Sequence, residues 1–319
     1  IRRDPNGDIE ERDEGSGLVR VEAGILGANL EDALAGRGLT TGHLPQSAGS
    51  STVGGWIAHR AAGIASTKYG KIESIVRGMR VVLADGSVLD TSAAPASASG
   101  PMLHSLFFGA EGTLGVVVEA TLAIQPLPDE RRWVAYGFAV DTAAPNDPRA
   151  ADAAFLRSVE VVRRVLRRGY RPAIVRAYDP AEAGPLLVRA GLDPATAPRG
   201  GALLIVGAEG EAPLVAAELA AIAREAADAG GVDLGPGPAE AWSARRFDTS
   251  WLVGAVRASG SIGDALEVAA SWRRLPGVYV AMRAAMREAC GPEGAVVAHL
   301  SHAYPDGGNL YMIFRTQQG

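Results

Sequence analysis

The stretch with the clearest chemical potential runs from Gly42 to Trp56 and consists mostly of glycine, serine, threonine, alanine and proline. Backbone N–H groups and hydroxyls can reach a pyrophosphate there without a bulky side chain in the way. Ser51, Thr52, Gly54 and Gly55 supply such groups. The stretch is neither a Walker A loop nor a G-x-G-x-x-G turn that opens a helix. A flexible loop would have the same composition.

A second stretch, Phe108–Val117, places Gly109, Gly112 and Gly115 immediately before a predicted strand. Three glycines allow the backbone to pass close to a planar or anionic ligand. An ordinary tight turn explains this motif equally well when it is taken alone.

Three cationic or titratable residues of the second half are candidates for substrate contact. Arg245 and Arg246 could present a bidentate guanidinium to a phosphate or carboxylate, and a surface ion pair with Asp248 is the competing interpretation. His299 could line a pocket or have a purely structural role. His302 lies three residues further on a predicted strand, so the two rings should point to opposite faces, and no metal site is predicted. The single cysteine, Cys290, can form neither an internal disulfide nor a thiolate cluster.

The elements that must position these residues change character near Pro126 and Pro128, where we place a domain boundary. The first domain, residues 1–128, combines short strands with two helices, and its Asp85-Gly86 pair predicts a hairpin turn. The second domain, residues 129–319, alternates strands with helices and closes on a hairpin around Pro305–Gly308. This order predicts an α+β fold in which an antiparallel sheet carries helices on one face.

The elements are predicted as follows. The first domain has strands at 19–22, 79–83, 88–90 and 116–124 and helices at 28–35 and 101–108. The second has strands at 133–140, 173–178, 202–208, 266–271, 295–304 and 309–315, and helices at 149–168, 213–229 and 276–290. A Gly/Pro loop is expected at 230–238, and Trp56 is expected to pack in the core behind the first glycine-rich stretch.

The composition of the chain excludes several classes of protein. The chain has 319 residues, a net charge of -5 and scattered basic residues, which argues against nucleic-acid binding. No apolar run reaches the roughly 20 residues of a membrane span. A lone cysteine fits a reducing compartment, so a cytoplasmic location is expected. The first residue, Ile1, and the last, Gly319, look like cuts through a longer protein.

In this order and spacing, the two glycine-rich stretches become much more specific. Residues 21–128 resemble the second half of the FAD-binding domain of the vanillyl-alcohol-oxidase (PCMH-type) flavoproteins. Within these FAD-linked oxidases they are most similar to the alkyldihydroxyacetonephosphate-synthase-like branch. Similarity is weaker from Trp133 to Gly307, which resembles the family's cap domain. The matching positions are Gly42-His43, Pro45, Ser47, Ser51-Thr52, Gly54-Gly55-Trp56, Arg60-Ala61, Gly63, Tyr69-Gly70, Ile72-Glu73, Gly100-Pro101, Gly109 and Glu111–Val116.

The resemblance implies a non-covalently bound FAD between a partial FAD-binding domain and a ferredoxin-like cap domain that forms the substrate pocket. Neither His43 nor His59 occupies the position at which relatives attach FAD covalently. The cofactor-binding residues that it implies are Pro45, Gln46, Ser47, Ser51, Thr52, Gly54, Gly55, His59, Arg60, Ala61, Glu111, Gly112, Thr113, Gly115, Val116 and Val117. The implied partner is a small-molecule substrate, and the family allows a homodimer.

The chain also departs from the family's pattern. The family's glycine-rich pyrophosphate loop should lie before Ile1, and its catalytic tyrosine and multi-histidine motif beyond Gly319. Two arginines of the family fall on Ala96 and His299. The catalytic residues are therefore not assigned.

Two reactions fit this scaffold, and the fold alone cannot separate them. One is a synthase-like reaction on an oxygenated substrate, with or without phosphate, that has no net redox change. The other is dehydrogenation of a D-2-hydroxy acid such as lactate or glycolate, with hydride transfer to the flavin. We favour the synthase-like reaction, because Pro45–Trp56 is most similar to that branch. A non-catalytic flavin-binding remnant is the third alternative.

Overall fold

The structure is a computed structural model that describes residues 9–13, 15–91, 98–141, 143, 147–193, 201–247 and 261–317. The chain divides into two compact units, Ile1–Leu127 and Pro128–Gly319. No helix in the described ranges is long and apolar enough to cross a membrane.

The first unit is built on a five-stranded antiparallel sheet with the order β1-β2-β6-β4-β5. Its strands are β1 (Ile9–Asp13), β2 (Leu18–Glu22), β4 (Val76–Val82), β5 (Val88–Asp90) and β6 (Val116–Ala123), and a separate short pair joins β3 (Leu39–Thr40) to β7 (Gln125–Pro126). Its helices are α1 (Gly27–Ala35), α2 (Val53–Ala58), α3 (Ser66–Tyr69) and α4 (Ile72–Ile75), with a 3-10 turn at Leu103–Phe107.

The core of this unit follows from periodicity. Val19 and Val21 alternate along β2 and are fully buried, while Leu30 and Leu34, four residues apart on α1, pack into the same cluster. Trp56 of α2 is 2% exposed and belongs to that cluster, as its predicted core position requires. The 3-10 turn replaces the helix predicted at 101–108.

The second unit contains a seven-stranded antiparallel sheet with the order β11-β8-β10-β9-β13-β14-β12. Its strands are β8 (Glu130–Phe138), β9 (Ile174–Tyr178), β10 (Ala202–Gly210), β11 (Val232–Gly235), β12 (Ser261–Ser271), β13 (Ala295–Ala303) and β14 (Gly307–Gln317). Its helices are α5 (Pro148–Arg167), α6 (Pro180–Arg189), α7 (Ala212–Asp228), α8 (Gly237–Arg245) and α9 (Leu275–Cys290).

Four of these strands carry the predicted ferredoxin-like arrangement. The order β11-β8-β10-β9, with α5 between β8 and β9 and α7 between β10 and β11, is that of a split βαβ unit. The α+β prediction is therefore confirmed. One detail differs: α5, α7 and α9 pack on one face, but α6 and α8 cover part of the other. The reason is that β9 and β10 are buried on both sides, so helices must cover both faces of the sheet.

Two local predictions are corrected by backbone geometry. The segment predicted as a Gly/Pro loop at 230–238 contains strand β11 and the start of α8. A β-bulge interrupts β13 at Ser301, because Leu300 pairs with Leu310 and His302 with Asn309. Paired residues share a face, and so do Asn309 and Tyr311, the partner of His299. His299 and His302 therefore lie on the same face, and the prediction of opposite faces was wrong.

Candidate functional site

The first glycine-rich stretch is held by side chains of its own. Thr52 is the N-cap of α2, and its Oγ1 accepts a hydrogen bond from the backbone N–H of Gly55 at 3.1 Å. The Trp56 indole N–H donates to Ser51 Oγ at 2.7 Å, and Ser51 Oγ donates to the Ser47 carbonyl at 2.8 Å. The buried indole therefore fixes the loop that carries the predicted cofactor contacts.

His43 packs beneath the same loop. Its ring meets Trp56 edge-on, with centroids 4.8 Å apart, and is 1% exposed. Neither ring nitrogen has a hydrogen-bond partner among the described residues. Burial, assisted by the charge of Lys71, lowers the pKa of His43 to about 4. The ring is therefore a neutral part of the core.

The second glycine-rich stretch comes directly against the end of α2. The backbone N–H of Gly109 donates to the Ile57 carbonyl at 3.1 Å, and that of Glu111 donates to the Ala58 carbonyl at 3.2 Å. The structure thus brings together the two stretches that the sequence separates by about fifty residues. Arg60 and Glu111 both have positive φ, 53° and 50°, in a region that non-glycine residues seldom adopt. Such backbone strain is typical of functional sites.

The glycines of these stretches divide into two kinds. A Cβ on Gly115 would lie 2.8 Å from the Val82 carbonyl, and one on Gly54 would lie 3.0 Å from the Ala23 Cβ, so protein packing itself requires these two. A Cβ on Gly49 or Gly112 would meet no protein atom within 4 Å. Glycine at such open positions leaves room for a ligand to approach the backbone, and the residues present therefore fit FAD.

The other predicted cofactor positions lie around this surface with different exposure. Gln46, Ser47, His59, Arg60, Glu111 and Thr113 are exposed, and Val116 is 49% exposed. Ser51, Thr52, Gly55, Ala61 and Val117 are half-buried, and Pro45 is buried. The role of these residues in binding FAD stays a prediction.

The second unit has a buried polar cluster on the sheet face that carries α6 and α8. Arg176 on β9 is 8% exposed, and its Nε donates to the Tyr178 hydroxyl at 2.7 Å. Its guanidinium lies over the rings of Trp242, at 5.3 Å, and Tyr178, at 5.5 Å. Sequence reasoning missed this arginine. The available signal was an arginine inside the apolar strand Ile174–Tyr178, since a buried cation needs specific partners.

His299 on β13 connects Arg176 to Glu182 on α6. Its Nε2 lies 2.7 Å from Arg176 Nη2, and its Nδ1 lies 2.8 Å from Glu182 Oε2. The ring is 6% exposed and stacks on Tyr311, with 5.3 Å between centroids and an interplanar angle of 3°. Burial lowers the pKa of His299, and Arg176 acts in the same direction, against the attraction of Glu182.

The cluster continues across the hairpin. Tyr311 donates its hydroxyl proton to Glu267 Oε2 at 2.7 Å, and Asn309 Nδ2 donates to Glu267 Oε1 at 2.7 Å. His302 lies on the same face, as the bulge requires. In the described part of the chain, no group of three or more histidine, cysteine, aspartate or glutamate residues could hold a metal ion.

Asp179 lies behind this cluster, where β9 turns into α6. It is fully buried and is the N-cap of α6, with Oδ1 accepting from the Glu182 backbone N–H at 2.9 Å. Its Oδ2 has no hydrogen-bond partner among the described residues. Burial raises the pKa of Asp179 to about 7. This carboxyl is therefore partly protonated near neutral pH.

The two arginines chosen from sequence lie elsewhere. Arg246 donates to the Ser243 hydroxyl at 2.9 Å and stacks over Phe247 at 4.6 Å. Burial and the charge of Arg131 lower its pKa. Arg131 is near the start of β8, whereas Arg176 is level with its middle, and no contact joins Arg246 to His299 in the described residues. Arg245 is exposed at the end of α8, and Ala96 and Asp248 lie outside the described residues.

Comparison with known proteins agrees with these features. Residues 2–92 match the FAD binding domain family, and residues 153–319 match the C-terminal domain of FAD linked oxidases. An alkyldihydroxyacetonephosphate synthase of Caenorhabditis elegans is 38% identical over 50% of this chain and 24% of its own length. A mitochondrial D-lactate dehydrogenase (cytochrome) of Saccharomyces cerevisiae is 34% identical over 40% of this chain and 22% of its own length.

A solved alkyldihydroxyacetonephosphate synthase structure matches with a TM-score of 0.81 and 23% identity, covering 100% of this chain and 58% of that one. That likeness confirms the predicted fold, a PCMH-type FAD-binding domain followed by an FAD-oxidase cap domain. The chain spans about half the length, or less, of the curated synthases that it matches. FAD is the cofactor of this family, as the sequence predicted. Because the FAD linked oxidase domain covers more than half of its residues, the chain belongs to the FAD-linked oxidases.

Proposed function

We propose that the protein is an FAD-dependent enzyme that acts on a small oxygenated anion, in a synthase-like reaction of the kind carried out by alkyldihydroxyacetonephosphate synthase. The observation that carries the proposal is the buried guanidinium of Arg176 in the second unit. A buried cation without a carboxylate in direct contact is costly unless it has a function or a compensating ligand. Its direct partners are a hydroxyl and an imidazole, both uncharged.

Arg176 is suited to an oxyanion. A guanidinium has five N–H groups, and the hydrogen bonds of Arg176 use one on Nε and one on Nη2. Nη1 makes no hydrogen bond with the described residues, and part of its surface is accessible to solvent. Its two N–H groups can therefore donate to a carboxylate or a phosphate.

The residues of the first unit would hold the cofactor. Gly49 and Gly112 leave the backbone accessible, and the Ser47 hydroxyl is exposed beside it, whereas the Ser51 and Thr113 hydroxyls donate to the Ser47 and Ala110 carbonyls and would accept hydrogen bonds. When bound, FAD supplies a group that can accept a hydride or bond to a substrate carbon. In either reaction, Arg176 would bind and orient the anionic part of the substrate.

The choice of substrate rests on the residues that depart from the family's pattern. Ala96 and His299 stand where a phosphate-ester site is expected to have arginines. We therefore expect weaker binding of acyl-dihydroxyacetone phosphate than in an authentic synthase. The same departures favour the second candidate, a D-2-hydroxyacid dehydrogenase, whose carboxylate substrate carries less charge. Arg245 and Arg246 stay proposals as phosphate ligands, and a homodimer and a cytoplasmic location stay predictions.

The test is an anaerobic titration of the full-length holoprotein, followed by flavin absorbance. Acyl-dihydroxyacetone phosphate is compared with D-lactate and D-glycolate, in the wild type, in Arg176→Gln and in the double variant Arg245→Ala/Arg246→Ala. Loss of one charge-assisted hydrogen bond, about 1.5–3 kcal/mol, should weaken binding about tenfold or more in Arg176→Gln. The double variant should weaken binding of the phosphate ester more than binding of D-lactate or D-glycolate, because Arg245 and Arg246 are proposed as phosphate ligands.

The outcomes separate the candidates. Bleaching by the phosphate ester alone supports the synthase-like reaction, and bleaching by a 2-hydroxy acid alone moves the protein to the dehydrogenases. Equal binding by wild type and Arg176→Gln would refute Arg176 as the anion ligand, and equal binding of the phosphate ester by wild type and the double variant would refute Arg245 and Arg246 as phosphate ligands. A flavin that responds to none of these compounds would leave the non-catalytic remnant as the correct interpretation.

A further inference from the structure

A line of three side chains crosses the face of the seven-stranded sheet. Glu182 on α6, His299 on β13 and Arg176 on β9 are joined by contacts of 2.8 Å and 2.7 Å through the two ring nitrogens of the histidine. Arg176 and His299 are almost fully buried, and Glu182 is half-buried. Both contacts are short enough to be strong hydrogen bonds.

The donors and acceptors fix the state of the ring. Arginine has N–H donors and no acceptor, so Nε2 of His299 must be the acceptor in its contact with Arg176. A carboxylate is only an acceptor, so Nδ1 must carry the proton that is donated to Glu182. His299 is therefore a neutral imidazole in the Nδ1–H form.

The charges around the ring favour the same state. Arg176 and Tyr178 face it from β9, Glu182 from α6 and Tyr311 from β14. Protonation at Nε2 would break the hydrogen bond from Arg176 and place two cations in contact. Burial adds a further cost to the charged form and lowers the pKa of the ring.

We propose that His299 and Glu182 are a positioning pair for Arg176: Glu182 fixes the tautomer of His299, and Nε2 then holds the guanidinium in one orientation with Nη1 available to the substrate anion. This deepens the proposed function and rests on it for the identity of the anion. His299 acts through Arg176 and is not itself the cation that binds the substrate.

The surroundings explain why one orientation is selected. The Tyr178 hydroxyl holds Nε at 2.7 Å, so the imidazole on Nη2 supplies the second fixed point of the planar group. Trp242 and Tyr178 lie against the guanidinium, and Tyr311 stacks on the imidazole. An arginine held at two of its nitrogens has few alternative rotamers, so less entropy is lost when an anion binds.

The first experiment reads the tautomer directly and does not depend on activity. Ring nitrogen chemical shifts are recorded for full-length holoprotein labelled with 15N-histidine, and the spectrum of His299→Gln assigns the signals of His299. The expected result is a neutral ring protonated on Nδ1 from pH 6 to pH 8. An Nε2–H tautomer, or protonation of the ring within that range, would overturn the proposal whatever the substrate is.

The second experiment tests the positioning role by measuring how well an anion binds. Sulfate is the competitor in the flavin-bleaching assay, because its charge is constant between pH 6 and 8. His299→Phe keeps the stacked ring but has no acceptor, and sulfate should inhibit about tenfold less well. His299→Gln can place an oxygen near the former Nε2, and we expect it to restore affinity to within about threefold. Thr316→Val removes a 3.0 Å hydrogen bond to the Cys290 carbonyl elsewhere in the unit and serves as the control.

The pH profile distinguishes positioning from direct binding. If His299 stays neutral, its titration should not change the inhibition constant of sulfate between pH 6 and 8. His299→Gln should therefore show the same pH profile as the wild type. An imidazolium that bound the anion itself would strengthen inhibition toward pH 6, and glutamine would not restore it; that result would overturn the proposal. If no substrate bleaches the flavin, the proposed function fails, and the tautomer measurement still decides on the positioning pair.

Discussion

Gly27→Ala tests whether the packing beneath the first glycine-rich stretch controls FAD binding. A Cβ on Gly27 would lie 2.0 Å from Cζ2 of Trp56 and 3.2 Å from the Ala48 carbonyl. Carbon atoms need about 3.5 Å, so the indole would have to move by about 1.5 Å. Because the same indole donates to Ser51 Oγ at 2.7 Å, the shift should break the bond that fixes the loop.

The magnitude follows from two opposing terms. Gly27 begins α1, where alanine alone would stabilise the helix by at most about 1 kcal/mol. Overpacking of a core costs about 1–3 kcal/mol, and the lost hydrogen bond about 1 kcal/mol more. Trp56 is 2% exposed and touches His43, so it cannot move into solvent. We expect a net loss of about 1–3 kcal/mol, much of it appearing as FAD affinity lowered about tenfold.

The assay is FAD titration of full-length apoprotein, followed by flavin fluorescence. Gly24→Ala is the matched control, since a Cβ there meets no atom within 4 Å. Trp56→Phe isolates the hydrogen bond, because it keeps an aromatic ring but lacks the N–H donor. We expect it to weaken FAD about fivefold, in line with a loss of about 1 kcal/mol. Wild-type affinity in both Gly27→Ala and Trp56→Phe would refute the idea that Trp56 supports the cofactor loop.

Three further predictions concern the cofactor and the buried carboxyl. The full-length protein should purify yellow and release its flavin in acid, and colour that stays with the acid precipitate would exclude non-covalent binding. Thr52→Arg or Gly112→Val should abolish FAD retention while the second unit stays folded by circular dichroism; wild-type occupancy in both would show that these loops are only turns. Because the pKa of Asp179 is raised from 3.8 to about 7, the folded state binds more protons than the unfolded state between these values. Stability should therefore fall by about 4 kcal/mol as pH rises from 4 to 8, and Asp179→Asn, which keeps the N-cap, should remove that slope in urea unfolding. An unchanged slope in Asp179→Asn would assign the pH dependence to other groups.

Much of the fold could be predicted because the relevant signals are local. Alternating Val19 and Val21, the 3.6-residue spacing of the 149–168 helix and the Asp85-Gly86 turn each depend on a few neighbouring residues. The cofactor assignment rested on the resemblance of the two glycine-rich stretches to the FAD-linked oxidases, because their composition alone fits a flexible loop as well. In the second unit, strand β11 was missed because Gly230-Gly231 precede it and Gly235-Pro236 end it, a pattern typical of loops, and pairing with β8 outweighed that tendency.

The polar cluster of the second unit was decided by tertiary structure alone. Arg176, Glu182 and His299 come from β9, α6 and β13, and β13 reaches β9 only because the hairpin adds to the edge of the ferredoxin-like sheet. A single bulge at Ser301 reversed the predicted face of His302. Sequence spacing could not show either, because neighbours in a sheet are set by long-range pairing and one extra residue inverts every later side chain. The residue types were visible in the sequence, and the contacts that give them a chemical role were not.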